Sequence, residues 1–335
     1  MSQTVTRRAV ALTVALIAAV VALGFSLARG TIAFAWQDVP GAALNRGGTD
    51  LANQVIHNIR LPRALNGLMV GMNLAVSGTI LQAVLRNPLA SPNIIGVSNG
   101  AGLAAVALMV LLPGRLTLIP PAAFVGALAA SGLVYGISRA AGSASPVQIV
   151  LSGVAVSAFL GALTSGLMVL HSDELDVTYS WLLGGLSGRG WSYVGIIWPY
   201  SIVGLTLVIL LTPQLNLFVL GDEVGSSLGL RVPLFRFLFL GLAAVLAGSA
   251  ISVAGTVGFI GLIAPHAARL MVGEDYRFMT PLAALTGGVL LVLADLAARV
   301  VFQPVELPVG VLTAALGAPF FLLLLTRRRT NSHST

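Results

Sequence analysis

Arg60 and Arg63 stand three residues apart, bracketing Leu61-Pro62 where one long apolar run begins, and Asp295 and Arg299 stand four apart where another ends. On a helix each pair shares a face, and opposite charges at four-residue spacing form ion pairs. Proline is well tolerated in a helix's first turn, so the spacing predicts that Arg60 and Arg63 face the water outside the run. Arginines placed in this way either attract acidic groups of a partner or snorkel to lipid headgroups, and both readings fit. Bond-making chemistry finds little to work with. His57, His171, His266 and His333 have no metal-ligand spacing, cysteine is absent, and no nucleophile stands in a pattern with a base. Neither catalysis nor a metal or other cofactor is expected on this chain. All 18 basic residues are arginine, and a phosphate-binding loop of the GxxxxGK[ST] type needs a lysine to reach the terminal phosphates. If ATP and magnesium are used, another chain must hold them.

The elements that position these residues are membrane spans. Of 335 residues, 57% are hydrophobic and 9% charged, with mean hydropathy +0.96, too few polar side chains to cover a soluble globule of this size. A helix needs about 20 apolar residues to cross the hydrocarbon core, and the apolar runs fall at 9–27, 64–85, 93–113, 116–138, 147–170, 194–212, 233–254, 256–272, 280–302 and 306–326. No alternation of strand type is present, so the expected fold is all-α, a single polytopic bundle of about ten transmembrane helices over 1–335. The run 9–27 is long for a signal peptide and many spans follow it, so it is read as the first helix.

An even number of spans puts both termini on one side. Arg7 and Arg8 at one end, with Arg327, Arg328 and Arg329 at the other, assign that side to the cytoplasm by the positive-inside rule. Asp173, Glu174 and Asp176 then fall in a solvated outer loop. Glycines at GxxxG spacing, Gly67 with Gly71 and Gly132 with Gly136, suggest close helix contacts. A shift of 177 residues aligns Gly71, Gly78, Thr79 and Pro88 with Gly248, Gly255, Thr256 and Pro265, which suggests an internal duplication, inverted by the span count.

The compositional exception is 215–230, of mixed polarity between two spans. Leu217, Leu220, Val224 and Leu228 recur at three- and four-residue steps and predict an apolar stripe, while Asp222 and Glu223 favour a helix start. Gly221, Gly225 and Gly229 form a neighbouring smooth row and weaken the isolated helix.

Arg60-Leu61-Pro62-Arg63, Ser77-Gly78 with Gln82, and Arg86-Asn87-Pro88-Leu89-Ala90-Ser91-Pro92 with Gly96 resemble the permease subunits of ABC importers for iron–siderophore complexes, haem and cobalamin. So do Gly258-Phe259-Ile260-Gly261 with Pro265, His266 and Arg269, Asp295 with Arg299, and Glu306-Leu307-Pro308-Val309-Gly310 with Gly317-Ala318-Pro319. The stretch from Trp181 to Trp191 looks most like the siderophore branch, which often has Gly-Ser where this chain has Gly184-Gly185. The resemblance implies a BtuC-like type II ABC importer fold in a bacterial cytoplasmic (inner) membrane. It also implies a second permease subunit, identical or not, two ATP-binding subunits inside and a periplasmic or lipid-anchored substrate-binding protein outside.

Carried over by motif, the resemblance gives the docking of the binding protein to Arg60, Arg63 and Arg299. It makes 215–230 the segment that couples to the ATPase, with Leu217, Leu220, Gly221, Asp222, Glu223, Val224, Gly225, Leu228 and Gly229. It puts an inner gate at Ser143, Ser145 and Pro146, residues equally explicable as an ordinary turn. It lines the pathway with the fifth and tenth helices, whose polar exceptions are Ser152, Ser157, Thr164, Ser165 and Thr313.

The expected function is therefore the membrane subunit of an ATP-driven importer that moves an iron–siderophore complex inward by alternating access, with haem and cobalamin as alternative cargoes. Another class, an ion-gradient secondary transporter, would need Asp295 as its coupling carboxylate, and Arg299 one turn away argues against it. A passive channel would need a filter or charged constriction that the sequence does not show.

Overall fold

The computed structural model describes residues 2–46, 49–142 and 144–319, and among them all regular structure is helical. Seven helices are long and apolar enough to span a membrane: α1 (Thr6–Ala28), α2 (Asp50–Val84), α4 (Pro113–Ala140), α5 (Pro146–Leu170), α6 (Trp191–Leu210), α7 (Val232–Ala254) and α9 (Tyr276–Val300). Three shorter apolar helices, α3 (Val97–Leu111), α8 (Ile260–Val272) and α10 (Val309–Pro319), fill the remaining places among the ten expected runs. The tenth run extends past the described residues, and Arg327, Arg328 and Arg329 lie outside them.

The bundle is built around α2. Of the most apolar stretch of α2, 83% is buried, against 17% for α5, so α2 is the central post and α5 lies at the periphery. Around α2 pack α9, α7, α8 and α6. Small residues permit the close approach. A Cβ at Gly78 would overlap the carbonyl oxygen of Gly261 on α8, and one at Gly71 would overlap that of Gly287 on α9. Backbone contact of this kind drives helix association where lipid supplies no hydrophobic force. Gly67 and Gly71 do face packed neighbours, but Gly132 and Gly136 have open space around them. GxxxG spacing marks a contact only when the glycine row faces another helix, and that face of α4 is outward.

Polar groups inside the bundle pair across helices. Asn73 on α2 donates to Ser201 on α6 (2.9 Å) and Ser249 on α7 (3.1 Å), and Ser77 donates to the carbonyl of Ala243 (2.7 Å). The contacts run 73 to 249 and 77 to 243, so α2 and α7 are antiparallel, as an inverted arrangement requires. The 177-residue alignment nevertheless superposes 78–82, inside α2, on 255–259, a turn that breaks the chain between α7 and α8. The two segments have different local structure at that register, with Gly255 (φ 69°) and Phe259 (φ 66°) both left-handed.

α1 belongs to the bundle. It buries Ala11, Ala15, Ala19 and Ala22 on one face and packs on α9. Arg7 and Arg8 donate to the carbonyls of Leu270 and Val272, and Arg8 lies over the ring of Phe278. These contacts bring the N-terminal end and 212–230 together at one end of the bundle, since Asn216 donates to Asp275 (3.0 Å) beside them. Arg60, Arg63 and Arg299 gather at the other.

Gly78→Ala is expected to lower thermal stability in detergent by about 1–3 kcal/mol, the usual cost of overpacking. Gly132→Ala is expected to stay within about 0.5 kcal/mol of the parent. Melting curves of the two variants check this, and equal melting temperatures would show that the α2–α8 contact does not limit stability.

Candidate functional site

At one end of the bundle two arginines hold one buried carboxylate and a third lies beside them. Asp295 accepts from Arg63 at Nε (3.0 Å) and Nη2 (2.9 Å) and pairs with Arg299 Nε at 3.2 Å. Arg63 Nη1 reaches Glu306 Oε2 at 2.9 Å. Arg299 also donates to Ser26 Oγ (2.7 Å), and Arg60 donates to the carbonyl oxygens of Leu27 (2.8 Å) and Ile32 while lying over the ring of Phe34. The last carbonyls of α1 lack intrahelical partners and carry the negative end of its dipole, so buried cations are suited to close it.

This corrects the expectation that Arg60 and Arg63 share a face turned to the outer water. Arg60, Arg63 and Arg299 are 4%, 7% and 4% exposed, and Arg60 turns to α1 while Arg63 turns to α9. Residues Ile56–Arg60 form a wider π turn, closed by Leu61 N–H donating to Ile56 O, immediately before Pro62. From Arg60 onward the backbone is ordinary α-helix, so the two side chains stay about 60° apart around the axis, and they diverge because each guanidinium is taken by a different buried acceptor, Leu27 O for Arg60 and Asp295 for Arg63. The pairing of Asp295 with Arg299 is as their spacing predicts. Glu306 as a partner of Arg63 had no signal in spacing, being 243 residues away.

Beside the cluster an outward cavity of about 500 Å³ is bounded by Arg63, Trp181, Arg189, Tyr193 and Glu306. A second cavity, about 550 Å³, is lined by Asn93, Ser98, Asn99, Thr256, Gly310 and Ala314 among others. Three chain breaks meet there. Gly185 N–H donates to Ala254 O (2.7 Å), Gly310 N–H to Gly184 O (3.2 Å), and Thr256 Oγ1 to Leu182 O.

The hydroxyls assigned to the pathway are distributed differently from expectation. Ser152, Thr164 and Thr313 are buried, Thr164 donating to Leu160 O (2.9 Å) and Thr313 to Gly310 O (3.0 Å). Ser157 Oγ is buried without a hydrogen-bond partner, and Ser165 alone of the five is exposed. A threonine in a helix satisfies its hydroxyl on the preceding turn, which draws it away from an open lining. The exposed face of α5 is apolar, with Leu151, Val154, Phe159 and Leu163. Of the gate residues, Ser143 lies outside the described residues. Ser145 caps α5, accepting from Gln148 N (3.4 Å) while Gln148 Oε1 accepts from Ser145 N (3.3 Å), and Pro146 is the helix's first residue.

At the other end, 215–230 forms two short helices, Thr212–Val219 and Asp222–Ser227. They are separated at Gly221, whose φ of 101° only glycine adopts without strain. The second helix begins at Asp222, as its acidic pair predicts. Leu220, Val224 and Leu228 are 54%, 46% and 58% exposed, so this much of the stripe is open. Leu217 instead packs against the core, Gly225 is buried and Gly229 has positive φ (88°), so the three glycines shape turns and packing rather than form one smooth row. Glu223 is exposed, whereas Asp222 is held by Arg236 at 2.7 Å and approached by Arg86 at 3.8 Å. Arg236 is a lone charge inside the apolar run 233–254, and its need for a carboxylate was the signal for this pair.

Asp295→Asn leaves two buried guanidiniums facing a neutral amide, and a loss of about 3–5 kcal/mol is expected. Glu306→Gln, at a side chain 36% exposed, is expected to cost about 1 kcal/mol or less. Thermal melting of the purified variants checks the order.

A model of the FecCD transport family matches residues 16–327. The chain is 43% identical to the Fe(3+) dicitrate transport system permease protein FecD of Escherichia coli, over 82% of this chain and 86% of that one. It is 38% identical to the probable siderophore transport system permease protein YfiZ of Bacillus subtilis, over 90% and 91%. It is 42% identical to the cobalamin import system permease protein BtuC of Halobacterium salinarum, over 90% and 80%. A solved inward-facing conformation of a metal-chelate type ABC transporter superposes with a TM-score of 0.85 at 28% identity, covering 94% of this chain and 98% of that one.

Proposed function

The chain belongs to the FecCD transport family, and on that premise we propose that it carries an iron–siderophore complex across a bacterial cytoplasmic membrane. As a member it is an ABC importer permease and not an enzyme, ATP hydrolysis being the work of a partner ATPase. A substrate-binding protein delivers the chelate at the end holding Arg63, two ATP-binding subunits attach at the end holding 215–230, and a second permease subunit completes the pathway. Both termini are then cytoplasmic, and ATP with magnesium binds only to the partners. Support for iron comes from relatives named for Fe(3+)-citrate and siderophore transport, while the cobalamin relative keeps cobalamin as a second reading.

The observation that carries energy coupling is the exposed stripe Leu220, Val224 and Leu228 on two short helices at the end of the bundle opposite the arginine cluster. An apolar stripe beside exposed polar residues fits a groove in a soluble partner better than lipid. The docking role at the outer end takes a modified form. Three guanidiniums against the carboxylates of Asp295 and Glu306 leave a net positive charge, which steers an acidic partner without each arginine touching it. A secondary-transport role for Asp295 is disfavoured, because arginines from two helices occupy its oxygens.

Reconstitution with the ATPase and binding protein tests the proposal. Val224→Asp with Leu228→Asp is expected to cut chelate uptake at least about tenfold, equivalent to ~1.4 kcal/mol, while the ATPase still turns over. Uptake that persists in the double variant would return 215–230 to an ordinary loop, and uptake that follows a proton gradient and ignores ATP would overturn the importer reading.

A further inference from the structure

The outer cavity beside the charge cluster is bordered by two residues that carry N–H donors without an acceptor among the described residues. Arg189 lines it, and its guanidinium donates to Tyr193 Oη at 2.7 Å and lies 4.5 Å from that ring. Among the described residues no carboxylate comes within ion-pair distance of it, and its buried Nε–H has no hydrogen-bond partner. Trp181 lines the same cavity, is 7% exposed, and its buried indole Nε1–H is also without a partner. Arg63 adds field but is already shared by Asp295 and Glu306. Of the acids, Glu306 borders the cavity but is paired with Arg63, and Asp173, Glu174 and Asp176, which precede the lining residues, do not border it.

Two buried donors without acceptors and one uncompensated cation define the complementary group. A carboxylate carries only acceptors and a full negative charge, so it matches both the unpaired N–H donors and the charge of the guanidinium. A neutral carbonyl would meet the donors and leave the charge unbalanced, and a cation would be repelled. The cavity is about 500 Å³ in volume, room enough for a carboxylate and the chelate arm that bears it. We propose that this cavity receives free carboxylate groups of a ferric chelate entering from outside, so that the permease itself favours carboxylate-bearing chelates over neutral hydroxamate ones. This rests on the importer reading above and adds a preference which that reading does not contain.

The test uses the permease–ATPase complex in nanodiscs, without the binding protein, titrated with citrate, ferric dicitrate and the neutral hydroxamate chelate ferrichrome. Tryptophan fluorescence is expected to change saturably with citrate and ferric dicitrate and to change little with ferrichrome. Arg189→Gln and Trp181→Phe are each expected to weaken citrate binding about tenfold, with Arg189→Lys retaining most of it as the control for folding. Equal responses to citrate and ferrichrome, or citrate binding unaltered by Arg189→Gln, would overturn the proposal. A third outcome also overturns it: no citrate binding, together with weaker docking of ligand-free binding protein to Arg189→Gln, would give the cavity to an acidic side chain of that protein. ATP-driven chelate uptake by the complete importer, measured in parallel, separates these results from a failure of the importer reading.

Discussion

A chain in hydrocarbon must satisfy its own backbone, because lipid offers no hydrogen bonds to a free N–H or C=O. This chain interrupts its helices at depth, and each interruption is closed by another. The breaks near Gly184, Gly255 and Gly310 exchange bonds from Gly185 to Ala254 and from Gly310 to Gly184, with Thr256 closing onto Leu182. Non-helical backbone survives within a membrane where protein encloses it or where it lines a cavity, and the 550 Å³ cavity at this junction has Asn93, Ser98, Asn99 and Thr256 on its wall. The polar surface that a permease needs is thereby obtained from main chain and neutral side chains, without placing charge in the bundle's interior.

Charge is kept to the two ends, and each end treats it differently. At one, Asp295 is almost enclosed and serves two arginines, an arrangement that ties α2 to α9 and, through Ser26 and Leu27, to α1. At the other, Asp222 remains partly open between Arg236 and Arg86, and the short helix it starts shows its apolar side to solvent. Charges that are enclosed with all their partners hold helices in fixed relation, and pairs left half in water are weaker and easier to rearrange. The rigid end and the adaptable end are therefore opposite one another along α2.

Much of this was legible in composition and spacing. Among the described residues, seven helices of spanning length and three shorter apolar ones fall on the ten apolar runs, Asp222 opens a helix, and Leu220, Val224 and Leu228 lie open together. The failures share a cause, which is geometry that periodicity does not carry. Arg60 and Arg63 leave neighbouring positions on α2 for different helices because Leu27 O and Asp295, both distant in sequence, take one guanidinium each. Gly221 divides a stripe that reads as continuous, so Leu217 goes to the core. Gly132 and Gly136 repeat the spacing of a contact on a face with no neighbour, while the tighter approach at Gly78 and Gly261 joins helices 183 positions apart and has no local signature. The hydroxyls inside α5 and α10 are read from sequence as pathway lining, whereas Thr164 and Thr313 satisfy theirs on the preceding turn.

The partnership of Arg63 with Asp295 also bears on how the protein is made. The two residues are 232 positions apart, which at 5–20 residues per second is a delay on the order of 10–50 s of translation. During that interval α2 is in the membrane while its carboxylate partner has yet to be synthesised. An arginine is costly at the centre of a bilayer and tolerable near its surface, and Arg63 stands near an end of its span. Pairing with Asp295 then fixes this end of α2 when α9 enters. The last third of the chain to emerge from the ribosome thus completes the ion pairing of a helix inserted near the beginning.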